Sequence, residues 1–246
     1  MMARFSRRWL VLMAFALGAS FAHASVTLSG TRIVFDAREK EVTLQMSNDG
    51  KRPALVQTWI DTGDERASPE SLDVPFVIAP SIFRIEAGKG QTLRIMHTGE
   101  PLPTDKESLF WLNVLDVPPK ATVDPDANRL QLAFRTRVKL MYRPSGLPGE
   151  ALDAPSQLKW RIVARADRQA VLEAINPTPY VVNLSGIALV ANGKTFDAGV
   201  GFVRPGETAS FPVKGSLDTD VAGGKVVYSS MDDWGASHAH QSDVAK

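Results

Sequence analysis

A strict period of two is what most constrains this chain. In "RLQLAFRTRVKLMYRP" (129–144), Leu130, Leu132, Phe134, Val138, Leu140 and Tyr142 occupy alternate positions, with Gln131, Arg135, Arg137, Lys139 and Arg143 between them. Successive side chains of a strand point to opposite faces, whereas a helix groups residues three and four apart. The stretch predicts a long two-sided strand with an apolar row and a cationic row. Shorter alternating segments recur: "SVTLSGTRIVF" (25–35), "EVTLQMS" (41–47), "ALVQTWI" (54–60), "FVIAP" (76–80), "QTLRIMH" (91–97) and "LFWLNVLDV" (109–117). Helical periodicity is almost absent.

With 129–144 these make about seven strands, the pattern of an immunoglobulin-like sandwich. The series pauses at "PSGLPGEALDAPS" (144–156), a cluster of proline and glycine typical of a turn between domains. A second β-series follows, from "LKWRIVA" (158–164) to "KVVYSS" (225–230), with a hairpin expected at Asn192-Gly193. The fold class is therefore all-β, two immunoglobulin-like sandwiches in series around an inter-domain cleft, with domains over 25–145 and 146–246. The closing "GASHAHQSDVAK" is small and polar and is expected to fray.

Residues 1–24 read as an export signal that is removed. Arg4, Arg7 and Arg8 precede an apolar run from Trp9 to Ala19, and "AHA" (22–24) supplies small residues for cleavage before Ser25. The run is too short to cross about 30 Å of hydrocarbon, so no membrane anchor is expected after cleavage. The chain has 28 basic and 27 acidic residues, without the surplus of a nucleic-acid binder. It contains no cysteine, so each domain must be held by its core rather than by disulfides.

The usual chemical signatures are missing. Without cysteine there is no thiolate nucleophile or thiolate metal site. His97 ends a predicted strand and reads as a half-buried sheet histidine. His238 and His240 form an H-x-H pair, two ligands short of a closed metal site. "GKGQT" (88–92) lacks the ending of a phosphate loop and reads as a turn. "NLS" (183–185) lies within a predicted strand. Asp232-Asp233 has no neighbouring base and reads as ion-pairing. No cofactor, metal or enzymatic activity is expected.

Several segments line up with one family. "TRIVFD" (31–36), "LPTDKESLFWLNVLDVPP" (102–119), "VKLMYRP" (138–144), "NPTPY" (176–180) and "MDDWG" (231–235) together resemble the periplasmic chaperones of the chaperone–usher pathway, which assemble pili. The resemblance covers essentially the whole chain from Ser25 to Trp234. It implies that Arg32 and Lys139 anchor the C-terminal carboxylate of a pilus subunit, a pairing that suits charge-assisted hydrogen bonds. It implies that Leu130, Leu132 and Phe134 form the apolar row of a donor strand that completes the subunit's sandwich. It implies that Glu107, Arg143 and Asp233 form a charged trio linking the two domains. The partners would be pilins and an adhesin, then an outer-membrane usher, in the periplasm of a Gram-negative bacterium. A free donor edge could also pair with a second copy as a capped dimer. The short Lys120–Arg129 loop and the lack of cysteine resemble the family's short-loop branch.

Some alternatives stay open at this level. The apolar row could pack into the chain's own core, because alternation gives a period and no direction, or it could divide, with the Val138–Tyr142 half buried and the Leu130–Phe134 half available. Tandem domains of this kind could be a structural or adhesive module of a surface fibre, or an exported hydrolase. Arg135 and Arg137 have no assigned role beyond keeping an exposed edge soluble.

Overall fold

The computed structural model describes residues 25–119, 131–164, 170–215 and 224–245. Residues 1–24, read above as an export signal, the Lys120–Arg129 loop and Leu130 lie outside the described residues.

Among the described residues the first domain has nine strands: β1 (Val26–Leu28), β2 (Arg32–Asp36), β3 (Glu41–Asn48), β4 (Ala54–Asp61), β5 (Phe76–Ala79), β6 (Ile82–Ile85), β7 (Gly90–His97), β8 (Ser108–Val117) and β9 (Phe134–Arg143). They form a four-stranded sheet, β1-β3-β7-β5, facing a five-stranded sheet, β2-β9-β8-β4-β6. The residues read as one strand over 25–35 change sheet at Ser29-Gly30-Thr31. A Cβ on Gly30 would stand 3.3 Å from the Arg32 carbonyl oxygen, which is why the corner takes glycine. A second corner separates β5 from β6 and yields a strand that alternation did not reveal.

Between the sheets lie Ile33, Phe35, Leu44, Val56, Leu93, Ile95, Leu112, Val138 and Leu140, all buried. His97 lies at the rim as a partly buried ring, with centroids 4.9 Å from Tyr142 and 5.5 Å from Phe76. The apolar row of β9 thus changes its environment along the strand. Val138 and Leu140 are core, whereas Leu132 and Phe134 are each 52% exposed.

The second domain comprises β10 (Lys159–Ala164), β11 (Ala170–Ile175), β12 (Val182–Ala191), β13 (Lys194–Val203), β14 (Thr208–Pro212), β15 (Lys225–Met231) and β16 (Ser237–Ala245). They hydrogen-bond in the order β13-β12-β15-β16-β10-β11-β14. This sheet folds back until its two ends meet, where the Lys214 N–H donates to the Asp197 carbonyl at 2.8 Å. Trp160, Leu172, Leu189, Phe211 and Tyr228 fill the space enclosed. Asn192 and Gly193 take φ of 51° and 71° at the β12–β13 hairpin, the paired positive values of a tight hairpin turn.

The expected frayed tail is corrected by the structure, because Ser237–Ala245 is a strand. It pairs antiparallel with β15 and, through Val244, parallel with Trp160 of β10. His240 stacks on Tyr228 at 5.1 Å and its Nε2 lies 2.8 Å from Ser230 Oγ. The inward row here is His238, His240, Ser242 and Val244. Its alternation is nearly all polar, so a hydrophobic pattern could not reveal it.

The domains meet through a small apolar cluster. Leu109 and Met141 of the first domain pack on Val181 of the second, with Val34 and Phe202 at its margin.

The division of the β9 row has a measurable consequence. Leu140→Ala should cost about 2–5 kcal/mol as a buried cavity mutation, while Leu132→Ala should leave the urea midpoint within error of wild type. Equal losses for both would place the entire row in the core.

Candidate functional site

Glu107 sits immediately before β8 and is buried against the second domain. Arg143 Nε donates to its Oε1 at 2.5 Å, and the Val181 N–H donates to its Oε2 at 2.7 Å. Arg143 also donates from Nη1 and Nη2 to Asp233 at 2.7 and 3.0 Å, and its guanidinium lies 5.5 Å from the centre of the Tyr180 ring. The structure therefore brings together Glu107, Arg143 and Asp233. Burial pushes the Glu107 carboxyl up from its ordinary value, opposed by Arg143 and the Val181 N–H. Burial also pulls Arg143 down, but its bonds to Asp233 and the field of Glu107 outweigh this and hold it above the ordinary value.

The "NPTPY" stretch supplies the other half of this joint. Asn176 is buried and donates to the Tyr180 carbonyl at 2.7 Å, while its Oδ1 accepts from the Thr178 N–H at 3.0 Å. The clamped turn aims the Pro179 carbonyl at the Glu107 N–H, 2.9 Å away. Sequence reading singled out the motif and missed this role. An asparagine before two closely spaced prolines was its only signal.

The parallel register of β2 and β9 sets Arg32 directly opposite Lys139, so both side chains leave the same face of the sheet. Arg32 Nη1 donates to the Met231 carbonyl at 3.0 Å, and its Nε is buried with no hydrogen-bond partner among the described residues. Lys139 Nζ donates to Asn183 Oδ1 at 2.6 Å and lies 4.6 Å from the centre of the Phe202 ring. Among the described residues neither cation has a carboxylate in direct contact. Burial holds Arg32 below its ordinary value, against the pull of Asp232 and Asp233. Burial, then the charge of Arg32, pulls Lys139 from 10.5 down to about 8. Two like charges held together with neutral acceptors make a site for an anion carrying two oxygens. Asn183 was missed as Lys139's partner, because in sequence it figured only as part of "NLS".

β9 is paired with β8 along its length, from Asp116↔Phe134 to Ser108↔Tyr142. On its other side β2 begins only at Lys139. Among the described residues no strand pairs with β9 on that side from Phe134 to Val138. Leu132 and Phe134 are exposed beside this free edge, and Leu130, the first residue of the row, lies outside the described residues.

Arg135 and Arg137 are not free solubilising charges, and that expectation is corrected. Arg137 donates to both oxygens of Asp61 at 2.7 and 2.9 Å and to Glu65 at 2.7 Å, with its guanidinium 4.7 Å from the centre of the Trp111 ring. Arg135 donates to Asn113 Oδ1 and to the Glu65 carbonyl, and lies 4.9 Å from the centre of the Trp59 ring. Asp61 is 0% exposed. A buried carboxylate needs such partners, and tryptophans at alternate positions of neighbouring strands provide the flat surfaces on which guanidinium groups rest.

Residues 25–148 match the N-terminal domain of pili and flagellar-assembly chaperones, and residues 153–242 match the C-terminal domain of the pili assembly chaperone PapD. The chain belongs to the pilus-assembly chaperone family. It is 41% identical over 232 residues to the probable fimbrial chaperone YadV of Escherichia coli, covering 93% of this chain and 92% of YadV. It is also 41% identical over 256 residues to the chaperone FimB/FhaD of Bordetella pertussis, covering 99% and 100% of the two chains. The crystal structure of the YadV chaperone superposes with a TM-score of 0.77 at 38% identity, over 90% of this chain and all of that one. The SafB chaperone of Salmonella enterica, solved in complex with the SafA pilin, gives 0.73 at 30% identity, over 92% and 99%. Family membership selects the chaperone over the fibre-module alternative.

The unneutralised cleft should weaken the free chaperone. Folded Lys139 loses its proton near pH 8 and an unfolded lysine near 10.5, a difference worth about 3 kcal/mol. Below pH 8 the whole penalty is present. Stability from this group rises with pH between 8 and 10.5, where the unfolded chain binds the extra proton. Lys139→Met should therefore raise urea stability at pH 7 by up to about 3 kcal/mol, less the lost Asn183 bond, and lose that advantage by pH 10.5. A variant less stable than wild type at pH 7 would refute this.

Proposed function

We propose that β9 lends Leu130, Leu132 and Phe134 to an incomplete pilus subunit while Arg32 and Lys139 hold the subunit's C-terminal carboxylate. One observation carries the reading: the free edge of β9 ends where the two cations begin. β2 runs parallel to β9 and starts at Arg32. A subunit strand lying along Phe134–Val138 in the same direction would be collinear with β2, and its terminal carboxylate would arrive between Arg32 and Lys139. Strand addition at an open edge supplies backbone hydrogen bonds, and alternate side chains supply burial. The SafB chaperone was solved with a pilin, which supports the same partner class here.

The remaining parts of the reading follow the resemblance. The trio of Glu107, Arg143 and Asp233 sets the angle between the domains of 25–145 and 146–246, and so keeps the cleft at the end of the donor edge. Residues 1–24 direct export to the periplasm, where the loaded chaperone passes pilins or an adhesin to an outer-membrane usher. A second copy could cover the same edge when no subunit is present. No catalytic step is part of this function.

Arg32→Ala and Lys139→Ala should each abolish co-purification of a co-expressed subunit while the purified variants melt no lower than wild type. Wild-type recovery of subunit by both variants would overturn the anchor assignment. Capture also has a pH sign. A bound carboxylate favours charged Lys139, which in the free protein is lost above about pH 8. Affinity should be flat from pH 6 to 7.5 and then fall by up to about tenfold per pH unit above 8, until the raised pKa of the complex is reached. Titration calorimetry across pH 6.5–9.5 would check this, and a flat profile would exclude Lys139 as the anion's partner.

A further inference from the structure

Trp234 is 95% exposed, yet the turn that carries it is held by a network of hydrogen bonds. Asp232 Oδ1 accepts from the Trp234 and Ala236 N–H groups at 3.0 and 2.8 Å, and the Asp232 carbonyl accepts from the Gly235 N–H at 3.1 Å. The Asp232 N–H donates to the Ala236 carbonyl at 3.0 Å, and its Oδ2 lies 2.8 Å from His238 Nε2. The next residue, Asp233, is clamped by Arg143. Gly235 turns the chain with φ of 89°. A large indole is thus presented on a hydrogen-bonded turn that no other described residue covers.

Its position gives that arrangement a use. Trp234 and Arg32 line one cavity of about 670 Å³, together with Thr31, Val34, Arg143 and Asp233. The Met231 carbonyl that holds Arg32 Nη1 lies three residues before Trp234. The indole therefore stands beside the cation proposed to receive the subunit's carboxylate.

We propose that Trp234 is a specificity-determining contact of the cleft, covering an apolar or aromatic side chain within the last few residues of the bound subunit. The inference rests on the carboxylate-anchor reading above. A tryptophan on a held backbone has only two side-chain torsions to fix on binding and buries a large area, which is why tryptophan is frequent among the residues that dominate interfaces. The anchor recognises any C-terminus, since every chain ends in a carboxylate. The indole adds a requirement on the residues just before it.

The test uses the full exported chain and the subunit that co-purifies with it, plus a synthetic peptide of that subunit's last nine residues with a free or an amidated C-terminus. Trp234→Ala should melt like wild type, because the ring is 95% exposed, and should bind the subunit roughly 10- to 100-fold more weakly. Trp234→Phe should recover part of the loss. The free-acid peptide should shift the emission of wild type to shorter wavelength, and the shift should be absent in Trp234→Phe. Replacing the apolar residues at the end of the subunit by serine should weaken wild type and leave Trp234→Ala nearly unchanged. If Arg32→Ala loses capture while Trp234→Ala binds as wild type does, the role of Trp234 is overturned and the anchor stands. If Arg32→Ala keeps wild-type capture, the anchor falls and this inference falls with it.

Discussion

The structure depends on one buried carboxylate. Glu107 receives the Arg143 guanidinium from its own domain and the Val181 N–H from the other. Removing a partner from such a pair leaves an uncompensated charge away from water, at a cost of roughly 3–5 kcal/mol. Neither domain can rotate far without breaking one of these bonds. Because Arg143 also grips Asp233, the lock extends to the 232–236 turn. The cleft's other wall, Asn183 and Phe202, stands on the strands that follow Val181.

The two sets of cations along β9 are treated in opposite ways. Arg135, Arg137 and Arg143 each find anionic or amide acceptors and a flat aromatic surface. Lys139 and its opposite, Arg32, are half-buried with only neutral acceptors, and burial works against the charge of both. Local conflicts of this kind in a well-folded chain mark functional places. The carboxylate of the proposed anchor would relieve the conflict here.

Much of this was legible in the sequence. Alternation located most strands, and Asn192-Gly193 located a hairpin. The resemblance singled out Glu107, Arg143 and Asp233, which the fold does bring together. The failures have physical causes. At Ser29–Thr31 the chain changes sheet and the inward row shifts from Val26 and Leu28 to Ile33 and Phe35, a one-residue slip of phase too short to stand out from a run read as one strand. At Ser237–Ala245 the inward row is histidine and serine, so a strand looked like a frayed tail. Arg135 and Arg137 looked like surface charges because Asp61 and Asn113, their partners, lie far upstream.

By itself the sequence determined the period of each strand, the absence of cysteine chemistry and the residue types available to the cleft. It offered a division of the row into a buried Val138–Tyr142 half and an available Leu130–Phe134 half, but alternation alone could not decide between that and a row packed wholly in the core. That depends on where β2 begins, since the row is enclosed only where the opposite sheet covers it and the neighbouring strand is present. Nor could it decide that Lys139 would be uncomfortable with its charge. Desolvation and the field of Arg32 are properties of a place in space, created when a parallel register sets two distant cations opposite each other.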